Sequence, residues 1–152
     1  MSVTVESSRF GELQVAERDI VEFPLGLVGL PGSRYAFVDR NPSSGFRWLH
    51  SIKDPRLALP VVDPRLFFPS FTLDLADEDR ACTGVHDASA WEQYVTVRAT
   101  PDPAEITVNL RAPLVIREGL GYQVINVAPG AELRAPLFAH AADQGSAAVD
   151  AA

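Results

Sequence analysis

Cysteine is nearly absent from this sequence. Cys82 is the only one in 152 residues, so no intrachain disulfide can form and no zinc-finger spacing exists. Long apolar runs are also missing, and none approaches the roughly 18–20 residues that a membrane-spanning helix requires. Met1 to Glu6 lack both the basic region and the apolar run of a signal peptide. These absences lead to the expectation of a cytoplasmic protein without membrane association. Basic charge is in deficit, with 13 Lys and Arg against 20 Asp and Glu, for a formal net charge of -7. Such a chain has no general attraction for phosphate backbones, so direct nucleic-acid binding is not expected. An acidic body is drawn instead toward a basic partner, mainly through faster encounter. The same charge also serves plain solubility.

Patterns that carry chemistry are scarce as well. His50, His86 and His140 lie far apart, and none has metal-ligand spacing. Cys82 and His86 would share a helix face, but Gly84 between them is a helix terminator, which favours an incidental cysteine over a thiolate–imidazole pair. Gly26, Gly29 and Gly32 lack the Gly-Lys-Ser/Thr ending of a phosphate loop and read as turn glycines. There is no Gly-x-Ser-x-Gly nucleophile elbow. Asp77-Glu78-Asp79 lacks the alternating ligands of a calcium loop and reads as a solvated helix start. These patterns give a catalytic site, a metal site or a cofactor no positive support; carboxylates are numerous, but sequence does not position a pair of them across a β fold, so an enzyme is not excluded on this ground.

What is present is an ordinary globular composition, 47% hydrophobic and 22% charged, with twelve prolines and ten glycines spread along the chain. Frequent breakers imply many short elements, which favours β-structure over a helix bundle. In Ile20-Val21-Glu22-Phe23, Val21 and Phe23 share one face, and Pro24 ends the run. Gly26 to Gly32 is a tight apolar loop, and Tyr35–Val38 a strand followed by a turn at Asn41–Gly45. Phe46–Ser51 places Phe46, Trp48 and His50 on one face. Leu57–Val62 is bracketed by Asp54-Pro55 and Asp63-Pro64, and Pro60 within it points to an edge strand or a bulge.

Alternation of Phe71, Leu73 and Leu75 predicts a strand. Asp77 to Gly84 predicts one short helix, capped by Asp77 and closed by Gly84, with Ala88–Gln93 a weaker helical segment. Tyr94–Val97, Ile106–Leu110, Leu114–Ile116 and Tyr122–Val127 predict four strands at spacings typical of a small barrel or sandwich. The expected fold is mainly β: a small antiparallel β-barrel or sandwich-like single domain with one short helix. It is expected to span residues 1–138, with an Ala-rich mobile tail over 139–152.

Several segments, in order, resemble the FliW flagellar assembly factor family. Phe10-Gly11-Glu12-Leu13 with Phe23 to Leu30 is similar to its "FG…F-P-x-G-L-x-G-F" opening. Phe46–Ser51 resembles "F-x-x-L-Q-S", and Leu57–Pro64 resembles "L-A-F-x-V-x-D-P". Ile106–Ile116 resembles "T-V-N-L-x-A-P-I-V-I", Gly121–Ile125 "G-x-Q-V-I", and Leu133–Leu137 the closing "Y-x-x-R-x-P-L". The likeness spans roughly residues 10–138 and departs at His50 (usually Gln), Pro60 (usually Phe) and Leu30 (usually Phe).

The resemblance implies a non-enzymatic regulator that binds newly made flagellin and also the RNA-binding translational repressor CsrA. Flagellin and CsrA then compete for it, coupling flagellin synthesis to filament export. The free protein is expected to be a monomer. Candidate partner-binding residues are Phe46, Trp48, Asn109, Leu110, Ala112, Pro113 and Leu114. Asn109 followed by Ala112-Pro113 either exposes Leu110 and Leu114 as a contact, or caps a bulge with the leucines in the core. Phe46 and Trp48 serve either as interface anchors or, more commonly for such residues, as core. The rival reading is a small β-barrel ligand-binding protein or enzyme, which would need an enclosed polar pocket.

Overall fold

The computed structural model describes residues 2–30, 32–39 and 45–138. Strands β1 (Ser2–Ser7) and β2 (Gly11–Ala16) form a hairpin in unbroken register, from Ser2 opposite Ala16 to Ser7 opposite Gly11. The Ser7 hydroxyl accepts the N–H groups of Arg9 at 3.2 Å and Phe10 at 2.9 Å, which sets the turn. There follow β3 (Ile20–Glu22), β4 (Arg34–Val38), β5 (Phe46–Ser51) and β6 (Ala58–Val62). The helix α1 (Asp77–Thr83) comes next, then β7 (Glu92–Arg98), β8 (Thr107–Val108), β9 (Leu114–Arg117), β10 (Leu120–Gln123) and β11 (Ala135–Pro136).

Seven of these strands close into a barrel in the order β3-β4-β5-β6-β7-β9-β10. Two contacts complete the ring. Glu92–Tyr94 of β7 pair antiparallel with Leu114–Ile116 of β9, and Leu120 of β10 pairs parallel with Glu22 of β3. That parallel pair closes a ring whose other pairings are antiparallel, in keeping with a mainly antiparallel barrel. β7 serves two partners on one side, because its C-terminal Val97 and Arg98 pair with β8, which carries β11 in turn.

Alternation along each strand sorts the side chains. Val21, Phe23, Tyr35, Phe37, Leu49, Val61, Tyr94, Leu114 and Ile116 fill the barrel interior. The outer face carries three further apolar clusters. The β1–β2 hairpin covers Ala36 and Val38, Leu75 and Val85 cover Val115 and Val124, and Leu110 and Leu137 join Val62, Val95 and Val97. Each fully buried aliphatic or aromatic side chain contributes about 1.5–3 kcal/mol relative to exposure.

Several expectations are corrected. Phe71–Leu75 alternates but is not a strand: it makes a single bridge, Leu75 with Asn126, and its backbone is held by the Asn126 side chain. Tyr122–Val127 shortens to β10, which begins earlier and ends at Gln123. Ile106–Leu110 contributes only Thr107 and Val108 to a ladder, although Ile106, Val108 and Leu110 do share one packed face. α1 spans the expected residues and ends at Gly84 in the left-handed conformation, but Ala76 precedes it and Asp77 gives no side-chain cap. Ala88–Ala90 is a 3-10 turn, and Gln93 belongs to β7. Pro60 lies in an interior strand, yet β7 pairs only with Val61 and Val62, so β5 is the sole ladder partner of the stretch through Pro60. Asn41–Ser44 and the 139–152 tail lie outside the described residues.

Candidate functional site

The residue pattern that closes the barrel also leaves one mouth of it open. At the end where β3, β6, β7, β9 and β10 meet, a groove of about 650 Å³ opens to solvent. Its walls are largely apolar: Leu27, Leu30, Leu59, Val97, Val108, Ala112 and Leu114 line it. Three large apolar side chains stand exposed on its rim, Val28 at 82%, Leu133 at 54% and Ile125 at 46%. Exposed apolar groups clustered on one concave surface mark interaction sites, whereas scattered ones do not.

Hydrogen bonds fix the groove's shape. The Asn109 side-chain oxygen accepts the N–H groups of Arg111 and Ala112, each at 3.0 Å, turning the chain before Pro113. The Gln123 amide nitrogen donates to the Ala112 carbonyl at 3.1 Å, and its oxygen accepts the Val28 N–H at 2.9 Å. Gln123 thus ties the Leu27–Leu30 turn to the Asn109–Pro113 turn across the mouth. Gly26 and Gly29 adopt φ of 74° and 77°, which lets the first turn fold back over Phe23.

Of the residues expected at a partner site, Asn109, Ala112 and Leu114 line this groove together. The leucines are not exposed by the turn: Leu114 is 0% exposed and packs in the barrel, and Leu110 is 6% exposed in the cluster around Leu137. The reason is that the Asn109 turn reverses the chain between two cores. Pro113 is buried, its carbonyl accepting the Val124 N–H at 3.0 Å. Phe46 and Trp48 are elsewhere, on the outer face of β5. Phe46 stacks edge-on with Phe67 at 6.1 Å, and Trp48 with Phe10 at 5.5 Å beneath the β1–β2 hairpin.

The opposite mouth holds a polar network that sequence reading missed. Arg47 grips both Asp39 carboxylate oxygens, at 2.7 and 2.9 Å, and donates to the Tyr94 hydroxyl at 2.9 Å. Its guanidinium lies 3.9 Å from the Phe37 ring centre. Burial opposes its charge, but the bonds to Asp39 and Tyr94 outweigh that and hold it more firmly protonated than an ordinary arginine. Tyr94 donates to Glu92 at 2.8 Å, and burial pushes its phenol up to about 12, with Glu92 adding to the shift and Arg47 opposing it. The network ties β4, β5 and β7 together. Among the described residues no group of three His, Cys, Asp or Glu could hold a metal ion, and no helix is long and apolar enough to cross a membrane.

The family model described as "FliW protein" matches residues 4–137, nearly the whole described chain. The chain belongs to the FliW family of flagellar assembly factors. The flagellar assembly factor FliW of Leptospira biflexa is 33% identical over 133 residues, covering 83% of this chain and 85% of that protein. That of Clostridium botulinum is 35% identical over 118 residues, covering 76% and 84%. A crystal structure of the flagellar assembly factor FliW shares the fold at a TM-score of 0.76 and 25% identity, covering 89% of this chain and 96% of that one. The FliW-like segments have a spatial logic. The Leu25–Leu30, Leu57–Pro64, Thr107–Leu114, Gly121–Ile125 and Leu133–Leu137 segments, far apart in sequence, each contribute residues to the groove at the barrel mouth.

Proposed function

We propose that this protein binds flagellin and a CsrA-type translational regulator as alternative partners in the cytoplasm, acting by sequestration rather than by catalysis. The observation that carries the reading is the convergence of five FliW-like segments on one open apolar groove, within a chain that matches the family from residue 4 to 137. A filled barrel supports a binding role on its outside, because Phe23, Tyr35, Leu49 and Leu114 occupy the interior completely. The groove suits flagellin: its walls and rim offer apolar anchors of the kind an amphipathic helix uses at i, i+3, i+4 and i+7.

A basic RNA-binding regulator is better matched to the acidic remainder of the surface, where Asp77, Glu78 and Asp79 crowd the first turn of α1. Occupancy by one partner lowers affinity for the other, so accumulating flagellin releases the regulator. The free protein is assigned as a monomer.

The test uses a residue whose replacement leaves the core untouched. Val28→Asp places a charge on the exposed rim. It is expected to weaken binding of purified monomeric flagellin by at least about tenfold in isothermal titration, as for the loss of an interface anchor. Flagellin affinity equal to that of the unmodified protein would remove the groove from the reading. No binding of flagellin by the unmodified protein would remove the function.

A further inference from the structure

We propose that the groove at the barrel mouth selects an amphipathic helix whose apolar ridge is flanked by carboxylates, which pair with Arg98, Arg111 and Arg134; this rests on the groove being the flagellin site. Charge distribution carries the inference. The chain is acidic overall, with 20 acidic against 13 basic residues, yet no Asp or Glu lines the groove and three arginines do. What sets those arginines apart is that they line the groove together with no carboxylate among its walls. Arg47, Arg56, Arg65, Arg80 and Arg117 each lie within 4 Å of a carboxylate, whereas Arg98, Arg111 and Arg134, like Arg9, Arg18 and Arg34 elsewhere, have no carboxylate partner among the described residues, so the groove arginines are available for ion pairing.

Their positions follow from the fold. Arg98 ends β7, Arg111 sits on the turn that Asn109 holds, and Arg134 immediately precedes β11. Arg111 is partly oriented, its Nε donating to the Ala131 carbonyl at 3.4 Å, which leaves the terminal nitrogens free. Guanidinium groups are weakly hydrated, planar forks that grip carboxylates two-pronged, and arginine is over-represented among residues that dominate interface energies. Three of them around an apolar floor attract carboxylates at the flanks of an apolar ridge and repel a ridge flanked by lysines.

A helix is the better occupant than an added strand. β6 is the lip where a strand would pair, since β7 leaves it after Val61, and Pro60 there has no N–H to give. The arrangement therefore separates the two partners by chemistry. The acidic body draws a basic regulator, while the groove excludes basic segments and accepts acidic ones.

The experiment titrates purified monomeric flagellin into the full-length protein, its Val28→Asp variant, and a triple Arg98→Glu, Arg111→Glu, Arg134→Glu variant. All three arginines are exposed, and circular dichroism verifies that the variants fold. A parallel series uses synthetic helical peptides with one leucine ridge, flanked by Glu, Gln or Lys. The expected result is at least about thirtyfold weaker flagellin binding by the triple variant and a peptide ranking of Glu over Gln over Lys. The triple variant is expected to reverse that ranking. Flagellin binding lost with Val28→Asp but unchanged in the triple variant, or peptides bound without regard to flanking charge, overturns the arginine inference and leaves the groove assignment standing. Flagellin binding unaffected by Val28→Asp overturns both.

Discussion

Gly121 faces the barrel interior, where a Cβ would stand 2.5 Å from Cε1 of Phe23 and 2.9 Å from Cγ1 of Val21. Both neighbours are buried, Phe23 completely, so neither can swing aside. Gly121→Ala is expected to destabilise the protein by about 1–3 kcal/mol, the usual cost of overpacking a closed core. Urea unfolding measures it, and a loss under about 0.5 kcal/mol would show that β10 can shift away from β3. Tyr94 gives a pH-dependent counterpart. Its folded phenol titrates at about 12, against 10 for an ordinary tyrosine. The folded state therefore holds the proton more tightly than the unfolded one. The resulting stabilisation is complete below about pH 10, shrinks as pH rises toward 12, and is gone above it. The stability difference between the protein and its Tyr94→Phe variant should fall across that window, and a difference that stays constant from neutral to strongly alkaline pH contradicts the assignment. His50 is a residue of another kind: fully buried, its Nδ1 donates to the Ser51 carbonyl at 2.8 Å and its Nε2 has no hydrogen-bond partner among the described residues. It fills space beneath the β1–β2 hairpin at a position where the family pattern usually carries Gln.

Among elements, Asn126 decides how the segment before α1 attaches to the barrel. Its side-chain oxygen accepts the N–H groups of Asp74 at 3.0 Å and Ala128 at 3.1 Å. Its amide nitrogen donates to the Thr72 carbonyl at 2.9 Å and the Leu110 carbonyl at 3.2 Å. One buried side chain thus takes the place of a ladder. Asn126→Ala strands backbone groups of three segments and is expected to cost about 2–4 kcal/mol. Hydrogen exchange at Asp74 should accelerate with it, and unchanged exchange would show that the segment holds without Asn126. The same substitution explains what alternation could not convey. Phe71, Leu73 and Leu75 alternate as in a strand, and period-2 burial is indeed present, but the bonds that would define a strand go to an amide side chain. Periodicity reports which face is buried, not who accepts the hydrogen bond. Gly84, the alternation of Phe46–Ser51 and the continuous apolar run Leu114–Ile116 were legible because each is a local property. Val3 and Val5 alternate with Thr4 and Glu6, a local signal of the same kind for β1. The groove was legible only in the part that one segment carries, the Asn109-to-Pro113 break in an apolar strand. Asn109, Ala112 and Leu114 come from one segment, whereas Val28, Gln123 and Leu133 reach it by closure of a barrel that no local signal encodes.

At the scale of the whole molecule, the charge pattern and the apolar groove divide the surface between two chemistries, and the proposed switch depends on how the two communicate. The 139–152 segment offers Val149 as its only larger apolar side chain. Truncation after Phe138, which stacks edge-on with Phe67 at 6.4 Å, is therefore expected to leave the unfolding midpoint within about a degree or two; a drop of many degrees would place that segment in the core. The partner switch makes a stronger demand. If flagellin in the groove lowers affinity for the CsrA-type regulator, thermodynamic linkage requires the regulator to lower affinity for flagellin by the same factor, whether the sites overlap or lie apart. A coupling of about 3 kcal/mol weakens the second partner roughly a hundredfold, enough for modest changes in free flagellin to redistribute the regulator. β7 is the element placed to carry such coupling between mouths of the barrel. Arg98 at its C-terminal end lines the groove, and Tyr94 and Glu92 at its N-terminal end belong to the Arg47 network. Flagellin titrated into a preformed complex with the regulator, followed by light scattering, is expected to release the regulator stoichiometrically. Tyr94→Phe is expected to reduce the coupling if it passes along β7 and to leave it intact if the partners simply overlap. A stable ternary complex, with each affinity equal to that measured alone, would show that both partners bind without any switch between them.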